Sequence, residues 1–228
     1  MKLVTVAGPP SSGKTAVIVH ALGMLKAEGM AVGVVKFDCL ATDDARIYSE
    51  AGIPVKTGLS GGLCPDHFFV SNIEDCLQWA VGQRLDLLVT ESAGLCNRCS
   101  PHITGVKAVC VIDNLMGVFT PKKIGPMLKL ADVVVVTKGD IVSQAEREVF
   151  AFHVRQANAK CLILNVNGIT GQGCYELSRV LLDTTETDTL FDESLRFTMP
   201  SALCSYCLGE RRIGYDYQMG NVKQIDLD

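Results

Sequence analysis

Eight residues near the amino end, Gly8-Pro9-Pro10-Ser11-Ser12-Gly13-Lys14-Thr15, satisfy G-x-x-x-x-G-K-[ST] at every fixed position. Glycines at these places let backbone N–H groups converge on one anion, and a helix that follows adds its positive end. In such a loop Gly8, Ser11, Ser12, Gly13 and Ala16 line a triphosphate. Lys14 reaches its β- and γ-phosphates, and the Thr15 hydroxyl ligates Mg2+. A plain glycine turn followed by a chance Lys-Thr is the competing reading. The flanks decide against it: Val4-Thr5-Val6-Ala7 reads as a strand and Thr15 to Glu28 as a helix, the setting a phosphate loop needs.

A second element, Thr137-Lys138-Gly139-Asp140, follows the apolar run Val133-Val134-Val135-Val136. It has the [NT]-K-x-D form that reads guanine. The Asp140 carboxylate accepts from the ring N1–H and the 2-amino group, which adenine cannot offer, so the wrong base leaves a polar group unsatisfied. Lys138 covers the base with its stem, and the loop around Asn167 supplies the remaining base contacts. Two acids complete the set. Asp38 ends one strand and Glu91, in Glu91-Ser92-Ala93-Gly94, ends the next. A carboxylate at either place holds Mg2+ or orients the attacking water. Asp38 is expected to be the switch acid, and Glu91 with Gly94 the γ-phosphate sensor.

The chain has ten cysteines, four of them in two Cys-x-x-Cys pairs, Cys96/Cys99 and Cys204/Cys207. In a reduced compartment such pairs point to metal or redox chemistry rather than disulfides. Cys76, Cys110 and Cys161 fall in apolar segments and read as small buried hydrophobes.

Strands are expected at Leu3–Ala7, Ala31–Phe37, Leu85–Glu91, Ala108–Asp113, Asp132–Thr137 and Cys161–Asn165. Helices are expected at Thr15–Glu28, Asp43–Ala51, Asn72–Gln83, Pro121–Leu130, Ser143–Ala157 and Cys174–Leu182, with a capping box opening the fifth. This alternation predicts an α/β fold with a doubly wound, mainly parallel sheet and ligands beyond its carboxyl edge. Residues 1–182 form the P-loop domain and 183–228 a Cys-containing extension too short for a second core. With 48% hydrophobic and 20% charged residues the 228-residue chain is globular. A net charge of −4 without a basic run predicts no nucleic-acid partner. No apolar run reaches the ~18 residues of a spanning helix, so no membrane partner is expected. The first strand begins at once, which leaves no room for a signal peptide and predicts a cytoplasmic location.

Four stretches in order resemble the P-loop GTPases that insert nickel into hydrogenase and urease, a branch shared with the signal-recognition GTPases and nitrogenase iron protein. They are the phosphate loop from Gly8, Asp38-Cys39-Leu40-Ala41-Thr42-Asp43-Asp44-Ala45-Arg46-Ile47, Glu91-Ser92-Ala93-Gly94, and Ala131 to Asp140. The resemblance covers residues 1–182. It implies GTP and Mg2+ binding, slow hydrolysis, a GTP-closed homodimer, and metal delivery to a client metalloenzyme or its maturation factors. It also implies an interface metal on a Cys–His pair in a Gly-rich loop, here Cys64 and His67 in Gly61-Gly62-Leu63-Cys64-Pro65-Asp66-His67. Thiolate plus imidazole suits Zn2+ or Ni2+. The chain departs from the pattern in Cys96-Asn97-Arg98-Cys99 and in its tail. By analogy with nitrogenase iron protein, Cys96, Cys99, Cys204 and Cys207 could hold Zn2+ or an iron–sulfur cluster, within one subunit or between two. The alternative function is an ATP-dependent iron–sulfur electron donor or cluster carrier.

Overall fold

Seven strands rich in valine, isoleucine and leucine lie side by side, each parallel to its neighbours. They are β1 (Lys2–Ala7), β2 (Val32–Asp38), β3 (Val55–Leu59), β4 (Leu87–Ser92), β5 (Lys107–Asp113), β6 (Val133–Thr137) and β7 (Leu162–Asn165), in the spatial order β3-β2-β4-β1-β5-β6-β7. The computed structural model describes residues 1–198, 211–217 and 223–227. Among the described residues six α-helices cover the sheet: α1 (Lys14–Ala27), α2 (Asp44–Glu50), α3 (Pro65–Gly82), α4 (Pro126–Lys129), α5 (Gln144–Ala157) and α6 (Cys174–Leu182). The architecture is a P-loop α/β fold.

Alternation along the strands sorts the core. Val4, Val6, Val34, Val89, Val111 and Val135 pack with α1, α6 and the fully buried Tyr48 of α2. Their neighbours Leu3, Val35, Phe37 and Leu88 face α3, where Phe37 meets Phe69 at 5.1 Å between ring centroids. Cys110, Ile112, Val134 and Val136 face α4 and α5. Each fully buried aliphatic side chain contributes about 1.5–3 kcal/mol, so the strands are held firmly with their carboxyl ends in one row.

Three expectations need correction. The edge strand β3 is not among the expected strands, because Val-Lys-Thr-Gly-Leu is short, half-buried and weakly patterned. The third helix starts at Pro65, two turns before Asn72, since proline fits a first helical position and Phe68 and Phe69 pack inward. Cys64 is therefore its N-cap and His67 lies within it, buried, rather than in a Gly-rich loop. The helix expected over Pro121–Leu130 is interrupted: a short 3-10 turn spans Thr120–Lys122, and α4 begins again at Pro126. Pro126 excludes the helical conformation from Gly125. The capping box at Ser143 and Glu146 is present, each side chain bonded to the other's backbone N–H.

Beyond α6 the chain returns to the sheet's amino edge. Thr187 N–H donates to Met1 O, and Leu190, Leu195 and Ile213 join the core beside α3. The Arg196 guanidinium grips both Asp132 oxygens, at 2.8 and 2.9 Å, and donates to the carbonyls of Ile103, Leu130 and Val106. Bidentate Arg–carboxylate geometry makes this a firm clasp.

His102, in the loop between β4 and β5, is fully buried and tied at both ring nitrogens. Nε2–H donates to Met127 O at 3.0 Å, so Nδ1 accepts from the Thr5 hydroxyl at 3.0 Å. Burial, with Arg196 adding to it, lowers its pKa to about 4, against the 6.5 of a free imidazole. Because the folded value is depressed, this stabilisation is complete above pH ~6.5 and is lost as pH falls from there toward ~4, in all about 3 kcal/mol. Asp66, pushed up from 3.8 to about 7 chiefly by burial, titrates in the opposite sense across this whole range. The test is thus a difference: between pH 7 and 4, denaturant unfolding of wild type should lose about 3 kcal/mol relative to His102→Gln. Parallel curves for the two proteins would refute it.

Candidate nucleotide and metal site

The row of carboxyl ends brings together the residues the sequence singled out. After β1 the chain turns through Gly8 to Gly13, and α1 starts at Lys14 behind Gly13, whose φ of 88° suits glycine. No side chain caps α1, so its first N–H groups face the loop's concavity. The buried Lys14 ammonium folds onto the carbonyls of Gly8 and Pro9, at 3.0 and 2.9 Å. Burial is the main cause of its lowered pKa, about 8, with Glu91 pulling the other way. Ser12 Oγ is buried with no hydrogen-bond partner among the described residues, a donor left over for an oxygen-rich ligand. Gly94, at φ 68°, lies against this loop so closely that a Cβ there would strike the Gly8 carbonyl. The glycine is required by contact as well as by backbone angle.

Beside the loop, a cavity of about 440 Å3 is lined by Lys14, Thr15, Lys36, Asp38, Asp44 and Glu91, among others. Glu91 is fully buried and every partner is identifiable. Its Oε1 accepts from Thr15 Oγ1 at 3.0 Å and from Lys36 Nζ at 2.7 Å, and its Oε2 from Tyr48 OH at 2.6 Å. Lys36 Nζ also lies 2.7 Å from Asp44 Oδ2 and 3.9 Å from Asp38 Oδ2. Burial alone would lower the Lys36 pKa, but Glu91 and Asp44 raise it above the ordinary lysine value. Burial would likewise raise Asp44, and Lys36 holds it below the usual carboxylate range. Tyr48, raised well above 10 by burial and by Glu91, keeps its proton to donate. Lys36 and Tyr48 were not among the sequence candidates. The available signal was a lone lysine inside the otherwise apolar Val32-Gly33-Val34-Val35-Lys36-Phe37, where an unpaired charge has no place.

At the other end of the loop, Thr137 Oγ1 donates to Ser12 O at 2.7 Å. Lys138, in the left-handed conformation at φ 57°, reaches Ser11 O at 2.8 Å and Asp113 Oδ2 at 3.0 Å. Asp140 is exposed and lines a separate cavity of about 130 Å3 with Asn165, Asn167, Gln172 and Arg147. Asn167 Oδ1 accepts from the N–H groups of Ile169 and Thr170, which fixes that loop as a turn.

A phosphate loop, a buried acid bonded to its threonine and a distal carboxylate-lined cavity are a P-loop arrangement on a wholly parallel sheet. The family profile CobW/HypB/UreG, nucleotide-binding domain, matches residues 2–165. The chain belongs to this family. Uncharacterized protein MJ0120 of Methanocaldococcus jannaschii is 46% identical over 226 residues, 99% of this chain and 97% of that one. Urease accessory protein UreG of Trichodesmium erythraeum is 30% identical over 148 residues, 60% of this chain and 68% of that one. Among solved structures, HypB from Helicobacter pylori in complex with nickel shares the fold, with a TM-score of 0.64 at 18% identity over 80% of this chain and 86% of that one.

As a CobW/HypB/UreG protein the chain carries its soft donors in two groups. Cys64, half-buried, caps α3, and His67 one turn on is 2% exposed. The second group follows the Glu91 motif: Cys99 is buried and Cys96 half-buried. Burial first, then the charges of Asp66, Cys96 and Cys64, raise the Cys99 pKa, so the two groups lie within electrostatic reach of each other. Cys204 and Cys207 lie outside the described residues, so the expected four-thiolate set has two members in view. Among the described residues no three or more His, Cys, Asp or Glu side chains are grouped to hold a metal ion. A nucleotide-bound Mg2+ needs fewer, because phosphates and water complete its shell. The oxygen donors of Thr15, Glu91, Asp38 and Asp44 suit that hard ion. Cys76 and Cys110 are fully buried and Cys161 half-buried, and burial pushes the Cys110 thiol up to about 12. No helix among the described residues is long and apolar enough to cross a membrane.

Proposed function

We propose that this protein is a GTP-hydrolysing metallocentre-assembly factor, closing as a homodimer on GTP and Mg2+ and releasing a soft metal to a client metalloenzyme or its maturation factors. The observation that carries the reading is the pairing of a phosphate cradle with thiols on the loop that leaves its γ-phosphate side. Gly94 touches Gly8, and Cys96 follows two residues later. A phosphate that reshapes the loop therefore acts on the sulfur donors through a short stretch of backbone.

Each residue then has a part in the chemistry. Gly8, Ser11, Ser12, Gly13, Lys14, Thr15 and Ala16 bind the triphosphate, with Lys14 leaving the Gly8 and Pro9 carbonyls for the β- and γ-oxygens. Thr137, Lys138, Asp140 and Asn167 hold guanine, and Gly94 senses the γ-phosphate. Thr15, with Glu91 or Asp38 directly or through water, would hold Mg2+, which would supply charge neutralisation at the transferred phosphoryl group. Asp38 or Glu91 orients a water whose oxygen attacks the γ-phosphorus while the bond to the β–γ bridging oxygen breaks, leaving GDP and phosphate. Cys64 and His67, with Cys96, Cys99, Cys204 and Cys207, are the donors for Zn2+, Ni2+ or an iron–sulfur cluster. The nickel in the HypB complex from Helicobacter pylori supports Ni2+ among these. The Cys96-Asn97-Arg98-Cys99 spacing just after the Glu91 motif favours, as a second reading, an iron–sulfur carrier driven by ATP.

The test is anaerobic titration with Ni2+, with Zn2+, and with iron plus sulfide, in the presence and absence of a non-hydrolysable GTP analogue and Mg2+. The analogue should tighten one metal about tenfold or more and double the mass in solution, because coupling of 1–3 kcal/mol is typical of linked sites. Cys64→Ser and Cys96→Ser should each abolish that gain. Metal affinity indifferent to nucleotide would overturn the coupling, and brown protein with preferential ATP binding would favour the second reading.

A further inference from the structure

Lys36 stands where a nucleotide site of this chemistry has no evident need of a lysine. Its ammonium lies 2.7 Å from Glu91 Oε1 and 2.7 Å from Asp44 Oδ2, and its side chain is 5% exposed. The Thr15 hydroxyl, the group on which a phosphate loop takes a divalent cation, donates to the same Glu91 Oε1. The ammonium and the hydroxyl thus share one carboxylate oxygen. The other oxygen is occupied by Tyr48. Lys36 is anchored in β2, paired on both sides by β3 and β4, so its charge can swing on its stem but cannot leave.

The geometry points to Lys36 as a tethered cation that keeps divalent metal out of the carboxylates until a nucleotide arrives. Without the ammonium, Glu91 and Asp44 would face each other as unbalanced anions and draw a divalent ion by themselves. With it, a dication approaching Glu91 Oε1 meets a positive charge beside that oxygen, and in a poorly hydrated site this repulsion is large. The phosphates of a nucleotide add several negative charges and reverse the balance, so metal and nucleotide bind together. Lys36 is in this sense a specificity-determining residue for the order of binding. The inference rests on the proposed nucleotide site and adds a regulation to it. Its competitor is an ordinary buried ion pair, which would matter for folding and leave metal affinity unchanged.

Mn2+ as a probe separates the two, read by loss of the free-ion electron paramagnetic resonance signal in nucleotide-free full-length protein. Wild type should take up Mn2+ only when GDP is added. Lys36→Gln should bind Mn2+ without nucleotide, roughly tenfold to a hundredfold more tightly than wild type, and Lys36→Arg should behave as wild type. Circular dichroism checks that each variant folds. Should Lys36→Gln fail to fold, the wild-type arm still decides, since tight nucleotide-free Mn2+ binding there overturns the inference. Intact GDP binding with unaltered Mn2+ affinity in Lys36→Gln sinks this inference alone. Failure of wild type to bind any nucleotide, with or without Mn2+, brings down the nucleotide site as well.

Discussion

Lys14→Ala is expected to cut GTP affinity and turnover by a factor of roughly a hundred to a thousand while leaving the fold in place. The lost contacts are charge-assisted bonds to phosphate oxygens, each among the stronger kind, and removing such a group from a pre-organised site costs about 3–4 kcal/mol. The fold should tolerate the change because the ammonium is itself a burden when no ligand is bound. Burial lowers its pKa to about 8, so part of its charge's solvation is already sacrificed. The alanine variant exposes two carbonyls, Gly8 O and Pro9 O, to water entering the vacated space, which limits the destabilisation to about 1–2 kcal/mol. Fluorescent-nucleotide binding and phosphate release, beside thermal unfolding of the nucleotide-free protein, check both halves. A variant that keeps wild-type affinity would show that phosphate does not sit on this loop.

Asp140→Ala should erase the preference for guanine. Two hydrogen bonds from the base to an ionised acceptor are worth about 3–5 kcal/mol together, so GTP affinity should fall roughly a hundredfold to a thousandfold and ATP affinity should hardly change. The carboxylate is exposed and lines its cavity beside Asn167, so its loss should leave stability almost untouched. Competition of GTP, ATP and inosine triphosphate for one fluorescent nucleotide measures it. Inosine lacks the 2-amino group and should fall between the other two on wild type. Equal GTP and ATP binding by wild type would remove the base-reading role from Thr137 to Asp140.

What the sequence disclosed divides along physical lines. The phosphate loop, its strand and its helix were legible because their constraints are local: glycine where backbone crowds, lysine and threonine at a helix start. The apolar strands β1, β4, β5 and β6 were legible because strands covered on both faces must be continuous in valine and leucine. The edge strand β3 was not, since half its surface meets solvent and its pattern fades. Cys64 and His67 were expected in a Gly-rich loop because the resemblance places such a pair there, whereas here proline at a first helical position opens α3. Lys36 and Tyr48 stayed hidden for another reason. Their meaning depends on Glu91, 55 and 43 residues away, and only the fold brings the three together.

The Gly8 carbonyl resting on the bare Cα of Gly94 leaves no clearance between the two loops. A push of the first against the second is therefore passed on without slack, and Cys96 lies two residues beyond the point of contact. Timing between an arriving phosphate and a shifting sulfur would then be set by backbone stiffness alone, with no side chain needed as a messenger.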